Sequence, residues 1–149
     1  MPGRFGEMLH SHSMGKMMNE PIRNMVTKRL IGVIAGTPIR VGVQRMVEFD
    51  ISFLVITRDG KIVGFMTDSD IKRAVADGVT MDAPVEEIMT PDPISVDINT
   101  TVREALDTMS RKRVTRLVVT NDGEVEGIVT LRDLEDISRQ KIETFISRE

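Results

Sequence analysis

The chain has no cysteine, no tryptophan and no tyrosine, and it holds only five phenylalanines and two histidines. The absence of thiols excludes disulfides, thiolate zinc sites, iron–sulfur clusters and cysteine nucleophiles together. It accords with a reducing compartment, so a cytoplasmic location is expected. So few aromatic rings leave single-stranded nucleic acid with few stacking platforms. Positive charge is not in excess either: the formal net charge is -3, whereas a general nucleic-acid binder carries a basic face. Nucleic acid is therefore not an expected partner. Long apolar runs are missing as well. Stretches such as Leu30–Ala35 and Leu117–Val119 fall far short of the roughly 18 residues a spanning helix needs, so no membrane association is expected. Residues 1–20, MPGRFGEMLHSHSMGKMMNE, lack the continuous apolar core of a signal peptide. They read as an N-terminal tail, either solvated or docking a helix on the core. His10 and His12 stand there two apart without a carboxylate cluster, a weak pattern for a metal site.

Catalytic signatures are missing too. Both histidines lie in the tail, and no Ser-His-Asp set, H-E-x-x-H helix, G-x-x-x-x-G-K-S/T phosphate loop or dinucleotide G-x-G-x-x-G is present. The expectation is a protein that is not an enzyme. Its 149 residues, 40% hydrophobic and 29% charged, suffice for a substantial core without cross-links.

What is present is an internal repeat. With Pro21 laid over Pro84, the two copies run in step over residues 21–76 without a gap. Thr27 falls on Thr90, Val33 on Val96, Thr37 on Thr100, Arg40 on Arg103 and Met46 on Met109. Leu54-Val55 falls on Leu117-Val118, Asp59-Gly60 on Asp122-Gly123, Gly64 on Gly127, Thr67 on Thr130 and Asp70 on Asp133. The copies span residues 21–80 and 84–140, with Gly78–Ala83 as linker and the last helix continuing toward 149.

Each copy reads as β-α-β-β-α. A short strand, residues 31–34 or 94–96, precedes a helix whose apolar stripe is Val102, Ala105, Leu106 and Met109 in the second copy. The first copy has Ile39, Gly42, Val43 and Met46 there, with Thr37 as the expected N-cap and Pro38 as the first helical residue. Two apolar runs follow, Ile51–Thr57 with Lys61–Met66 and Val114–Thr120 with Glu124–Val129, each pair split by Asp-Gly, a hairpin signal. The second helix starts at Thr67 or Thr130 and in the second copy extends through Leu134, Ile137, Ile142 and Ile146. So small a unit must bury its sheet face on a second one, which leaves clefts between the copies as natural ligand sites.

The sharpest motif joins the last strand to the second helix: Gly64-Phe-Met-Thr67-Asp-Ser-Asp70 and Gly127-Ile-Val-Thr130-Leu-Arg-Asp133. Two readings fit. Thr-x-x-Asp is a capping box, with an acidic residue suited to the helix dipole. The same junction also presents backbone N–H groups to an anion, and its carboxylate can accept from vicinal hydroxyls such as those of ribose. A further basic run, Arg111-Lys112-Arg113, reads as a solvated helix end favoured by the dipole.

The duplication, the element order and the G-h-h-T-x-x-D endings together resemble a tandem pair of cystathionine-beta-synthase (CBS) domains. Glu86-Glu-Ile-Met-Thr-Pro-Asp-Pro-Ile-Ser-Val96 and Thr101-Val-Arg-Glu-Ala-Leu-Asp-Thr-Met109 resemble the family's corresponding segments. The resemblance implies an α+β fold with the repeats packed as a pseudo-two-fold pair, and a regulatory module that requires no cofactor. Its ligand would be an adenosyl compound: AMP, ADP, ATP, S-adenosylmethionine or an NAD-type nucleotide. Carried over by position, one site uses Asp133 for the ribose hydroxyls, with Thr130, Arg132 and Arg116 toward phosphate and Thr115 beside them. Its adenine would lie among Val26, Ile31, Ile51 and Ser52. The mirror site uses Asp70, Thr67 and Ser69 with Met89, Ile94 and Val114, and has Phe53 where the first has Arg116. The resemblance also implies a homodimer through helical faces, for which Met46, Val47 and Met109 are the expected uncovered residues, and an unidentified regulated protein. Two other classes remain open, an interaction protein with filled clefts and a nucleic-acid-binding regulator.

Overall fold

A computed structural model describes residues 15–135 of the chain. They form an α+β fold with two mixed sheets. His10, His12 and the helical residues expected beyond 135 lie outside the described residues. Two compact units divide the chain, and their limits differ from those of the sequence copies: one is Arg29–Pro93, and the other joins Met1–Lys28 to Ile94–Glu149.

In the Arg29–Pro93 unit the elements run β1 (Gly32–Ile34), α1 (Ile39–Phe49), β2 (Phe53–Arg58), β3 (Lys61–Thr67), α2 (Asp68–Ala76) and β4 (Thr90–Pro91). The sheet order is β1-β2-β3-β4. β1 lies parallel to β2, which requires the α1 crossover, and the other pairs are antiparallel. Arg58 pairs with Lys61, leaving Asp59 (φ 52°) and Gly60 (φ 77°) as a two-residue turn. Both turn residues are left-handed, which matches the twist of the flanking strands and is why Asp-Gly stands here. Ile39, Met46, Leu54, Ile56, Met66 and Val85 are buried together.

The start of α1 departs from the sequence expectation by one residue. Pro38 is the N-cap and offers no side-chain bond, while the Thr37 hydroxyl donates back to the Ile34 carbonyl at 2.7 Å. The orphan first-turn amides of Ile39 and Arg40 instead donate to the carbonyls of Ala83 (2.8 Å) and Met81 (2.9 Å). The linker between the copies thus does the work of a cap.

The second unit repeats the plan with β5 (Ser95–Asp97), α3 (Val102–Lys112), β6 (Arg116–Asn121) and β7 (Glu124–Thr130), followed by helical residues 131–135. β5 is parallel to β6, and β6 antiparallel to β7 through the Asp122-Gly123 turn. Here α3 has a side-chain cap: the Thr101 hydroxyl accepts from the Glu104 amide at 3.1 Å. Val102, Ala105 and Met109 of α3 are buried with Ile22, Leu117, Val129 and Leu134. Met17 is buried as well, so the end of the expected tail contributes to this core. The basic run closes α3, with Arg111 paired to Asp107 at 2.8 Å and Arg113 as the left-handed C-cap.

Each sheet takes its last edge from the segment that leads into the other copy. β4 lies along β3, and Thr27 exchanges two backbone bonds with Ile128 of β7, at 2.8 and 3.0 Å. The glycines of the two motifs follow from this crossing. A Cβ at Gly127 would sit 2.2 Å from the Thr27 carbonyl oxygen, and one at Gly64 would sit 2.7 Å from that of Thr90. The packing also corrects the expected dimer surface. Met46 and Met109 are core residues, whereas Val47 is 76% exposed and Phe49 40%.

Candidate functional site

Both Thr-x-x-Asp junctions sit where the last strand of a sheet becomes a helix, and both cap that helix. At the first, the Asp70 amide donates to the Thr67 hydroxyl (3.2 Å) and Oδ2 of Asp70 accepts from the Thr67 amide (2.9 Å), closing a capping box. At the second, the Asp133 amide donates to the Thr130 hydroxyl (3.0 Å), and Oδ2 of Asp133 accepts from the Thr130 amide (3.1 Å). The next amides, Asp68 and Leu131, donate to the carbonyls of Ser52 (3.1 Å) and Thr115 (2.8 Å). Most first-turn donors are therefore engaged. The amides of Ser69 and Arg132 are the remaining ones without a bond among the described residues. The anion cradle expected from the sequence is thus narrower than an open helix end.

The two carboxylates differ beyond this. Asp70 is buried, and it takes three more bonds. The Thr67 hydroxyl donates to Oδ2 (3.0 Å), Arg73 donates to Oδ1 (2.5 Å), and the Thr90 hydroxyl lies 3.1 and 3.2 Å from the two oxygens. Asp133 is half-buried. Among the described residues its Oδ1 accepts nothing, and Thr27, the counterpart of Thr90, makes no side-chain bond to it.

Of the residues expected with Asp133, the second unit holds Thr130, Arg132, Arg116, Thr115 and Val26. Arg116 and Thr130 are directly paired across β6 and β7, which sets the guanidinium stem beside the junction. Arg116 also donates to the Thr115 hydroxyl at 3.1 Å. Arg132 is exposed, and Val26 packs against this unit's core near Gly127. Ile31, Ile51 and Ser52 belong to the Arg29–Pro93 unit, where the Ile31 carbonyl accepts from Val55 and Ile51 packs on the core. Around Asp70 the Arg29–Pro93 unit gathers Thr67, exposed Ser69 and Met89, while Ile94 and Val114 belong to the second unit. Phe53 occupies the place of Arg116 and packs edge-on against Phe65, ring centres 6.1 Å apart.

A cavity of about 380 Å³ opens beside Asp70, lined by Arg73, Asp77, Glu87, Met89 and Thr90 among others. Sequence reasoning missed Arg73 and Thr90. Thr90 carried a signal, its identity with Thr27 across the repeat; Arg73 carried only its place three residues after Asp70, one turn on. Another residue missed is Glu86. Its carboxylate accepts from the Gly36 amide (2.7 Å) and from Arg58 (3.0 Å). The Gly36 bond foremost, with Arg58 beside it, holds its pKa below the ordinary value. Among the described residues no cluster of His, Cys, Asp or Glu could hold a metal ion, and no helix is long and apolar enough to cross a membrane.

Comparison with known proteins agrees with the repeat. The CBS domain family matches twice, over residues 22–77 and 85–139. An uncharacterised 17.7 kDa protein of Acidianus ambivalens is 32% identical over 119 residues, covering 78% of this chain and 72% of its own length. The crystal structure of an uncharacterised conserved protein from Pyrococcus horikoshii is 40% identical, with a TM-score of 0.73 over 82% of this chain and 94% of that one. A CBS domain pair in complex with 5'-methylthioadenosine and S-adenosyl-L-methionine is 27% identical, with a TM-score of 0.71 over 81% of this chain and 97% of that one.

Proposed function

Because the chain belongs to the CBS domain family, as a tandem pair, we propose that it is a regulatory module that binds an adenosyl compound at the Thr130–Asp133 junction. The observation that carries this reading is the state of Asp133. Its Oδ1 accepts no bond among the described residues, so the carboxylate can take the two hydroxyls of a ribose while Oδ2 keeps the helix capped. Arg116, paired in register with Thr130, and exposed Arg132 supply forked donors, which suit phosphate. The unengaged Arg132 amide adds a backbone donor at the helix start. The similar CBS pair bound to 5'-methylthioadenosine and S-adenosyl-L-methionine supports the ligand class. In this reading AMP, ADP, ATP or S-adenosylmethionine is a regulatory ligand and not a cofactor. The protein works in the cytoplasm as a homodimer, and a partner protein reads a population shift between ligand-free and ligand-bound states.

Thermal unfolding of the ligand-free protein with each compound tests this. A ligand at 100 times its dissociation constant adds about 2.7 kcal/mol, and each kcal/mol moves the midpoint of a chain this size by about 2–4 °C. A rise of about 5–10 °C is expected with at least one compound. A hydrogen bond to a charged group contributes about 1.5–3 kcal/mol, so Asp133→Ala weakens binding by about 10- to 100-fold in calorimetry. No rise with any compound overturns the reading.

A further inference from the structure

We propose that Arg73 is a built-in plug: it occupies the Asp70 carboxylate and keeps a ligand diol out, so the two-repeat chain takes up one nucleotide and not two. The proposal rests on the reading of Asp133 as a ribose acceptor and extends it to the other copy of the motif.

An ionised carboxylate offers about four acceptor positions. At Asp70, Oδ2 serves the Thr67 amide and hydroxyl, and Oδ1 serves Arg73 at 2.5 Å, with the Thr90 hydroxyl against both oxygens. The side chain is 1% exposed. A ribose needs two donors into that carboxylate and finds none of its positions open. The outer barrier is Arg73. Its side chain is 66% exposed, so it is held by its tip alone, and it lines the cavity through which a ligand would approach. A guanidinium at this point replaces the paired hydroxyls of a sugar with its own forked donors.

The other copy lacks the device. Position 136, the repeat counterpart of Arg73, is Asp, which has neither cation nor forked donors to offer. Thr27, the counterpart of Thr90, leaves Asp133 alone. Duplication therefore produced two carboxylates in one motif, one closed from within and one open.

Calorimetric titration of AMP into the full chain reads this as stoichiometry. The wild type is expected to bind one AMP per chain, and Asp133→Ala to lose that event. Arg73→Ala, a change at a largely exposed side chain, is expected to gain a second equivalent that persists in Arg73→Ala/Asp133→Ala. Arg73→Lys keeps a cation at Asp70 and stays at one. Because Thr90 also touches the carboxylate, Arg73→Ala/Thr90→Val serves as the fully opened variant. Two equivalents in the wild type, or one in both opened variants, overturns the plug. If the wild type binds none and Arg73→Ala binds one, the plug stands and the assignment to Asp133 falls. If no variant binds, both fall.

Discussion

Asp70 and Asp133 begin from the same four-residue motif and end in different electrostatic company. The difference has a consequence for stability that needs no ligand. Asp70→Ala removes a cap and strands the buried Thr67 amide and hydroxyl together with the Thr90 hydroxyl. Unsatisfied buried donors cost about 1–3 kcal/mol, beyond the roughly 1 kcal/mol of a lost cap. Asp133→Ala loses only the bond from the Thr130 amide. Ligand-free Asp70→Ala is therefore expected to melt several degrees below Asp133→Ala, and equal melting points contradict the account. Glu86 gives a second test at this scale. Its folded pKa lies below the ordinary 4.5 because the Gly36 amide and then Arg58 favour the carboxylate. That stabilisation is fully present above pH 4.5 and disappears as pH falls below it through the folded pKa. Glu86→Gln cannot titrate, so its denaturation midpoint should fall less steeply with acid below pH 4.5 than the wild type's. Parallel acid profiles would remove Glu86 from the linkage.

At the level of elements, the glycines separate two kinds of close packing. A Cβ at Gly127 meets backbone, the Thr27 carbonyl at 2.2 Å, and one at Gly64 meets the Thr90 carbonyl at 2.7 Å. A Cβ at Gly42 meets the far end of Met66, which can turn away. Overpacking costs about 1–3 kcal/mol, whereas Ala in a helix gains up to about 1 kcal/mol over Gly. Gly127→Ala should therefore destabilise strongly and Gly42→Ala stay near neutral in chemical denaturation; the reverse order would refute the crossing as the reason for Gly127. The hairpins, the α3 stripe and the capping boxes were legible in the sequence, because each depends on neighbours within one turn or one hairpin. The role of the motif glycine was not, since its partner is the backbone of a distant segment. The start of α1 was misread by one residue for a related reason: its amides are capped by linker carbonyls at Met81 and Ala83, and carbonyls leave no trace in residue type. Arg73 and Thr90 escaped notice because a capping box explains Thr67 and Asp70 without them.

For the whole molecule, the repeat in the sequence and the unit in space are out of phase. Periodicity tells which face of a strand is apolar, but it cannot tell which sheet edge a lead-in segment will join. The offset makes a prediction about fragments. Residues 29–93 contain the complete sheet β1-β2-β3-β4 and the linker that caps α1. A fragment of residues 21–80, one sequence copy, lacks β4, the carbonyls of Met81 and Ala83, and the buried Val85. The first fragment should unfold cooperatively on heating and the second should not; cooperative unfolding of 21–80 alone would refute the exchanged edge as a structural requirement.

The exchange of edges also sets an order of birth. Everything the Arg29–Pro93 unit needs is contiguous, so it can close while the ribosome is still making the remainder of the chain. The other unit draws on both ends. Thr27 is among the first residues to emerge, yet the Ile128 strand it must join is made almost last. For most of synthesis the N-terminal strand waits beside an already folded neighbour, a bookmark held for a page not yet written.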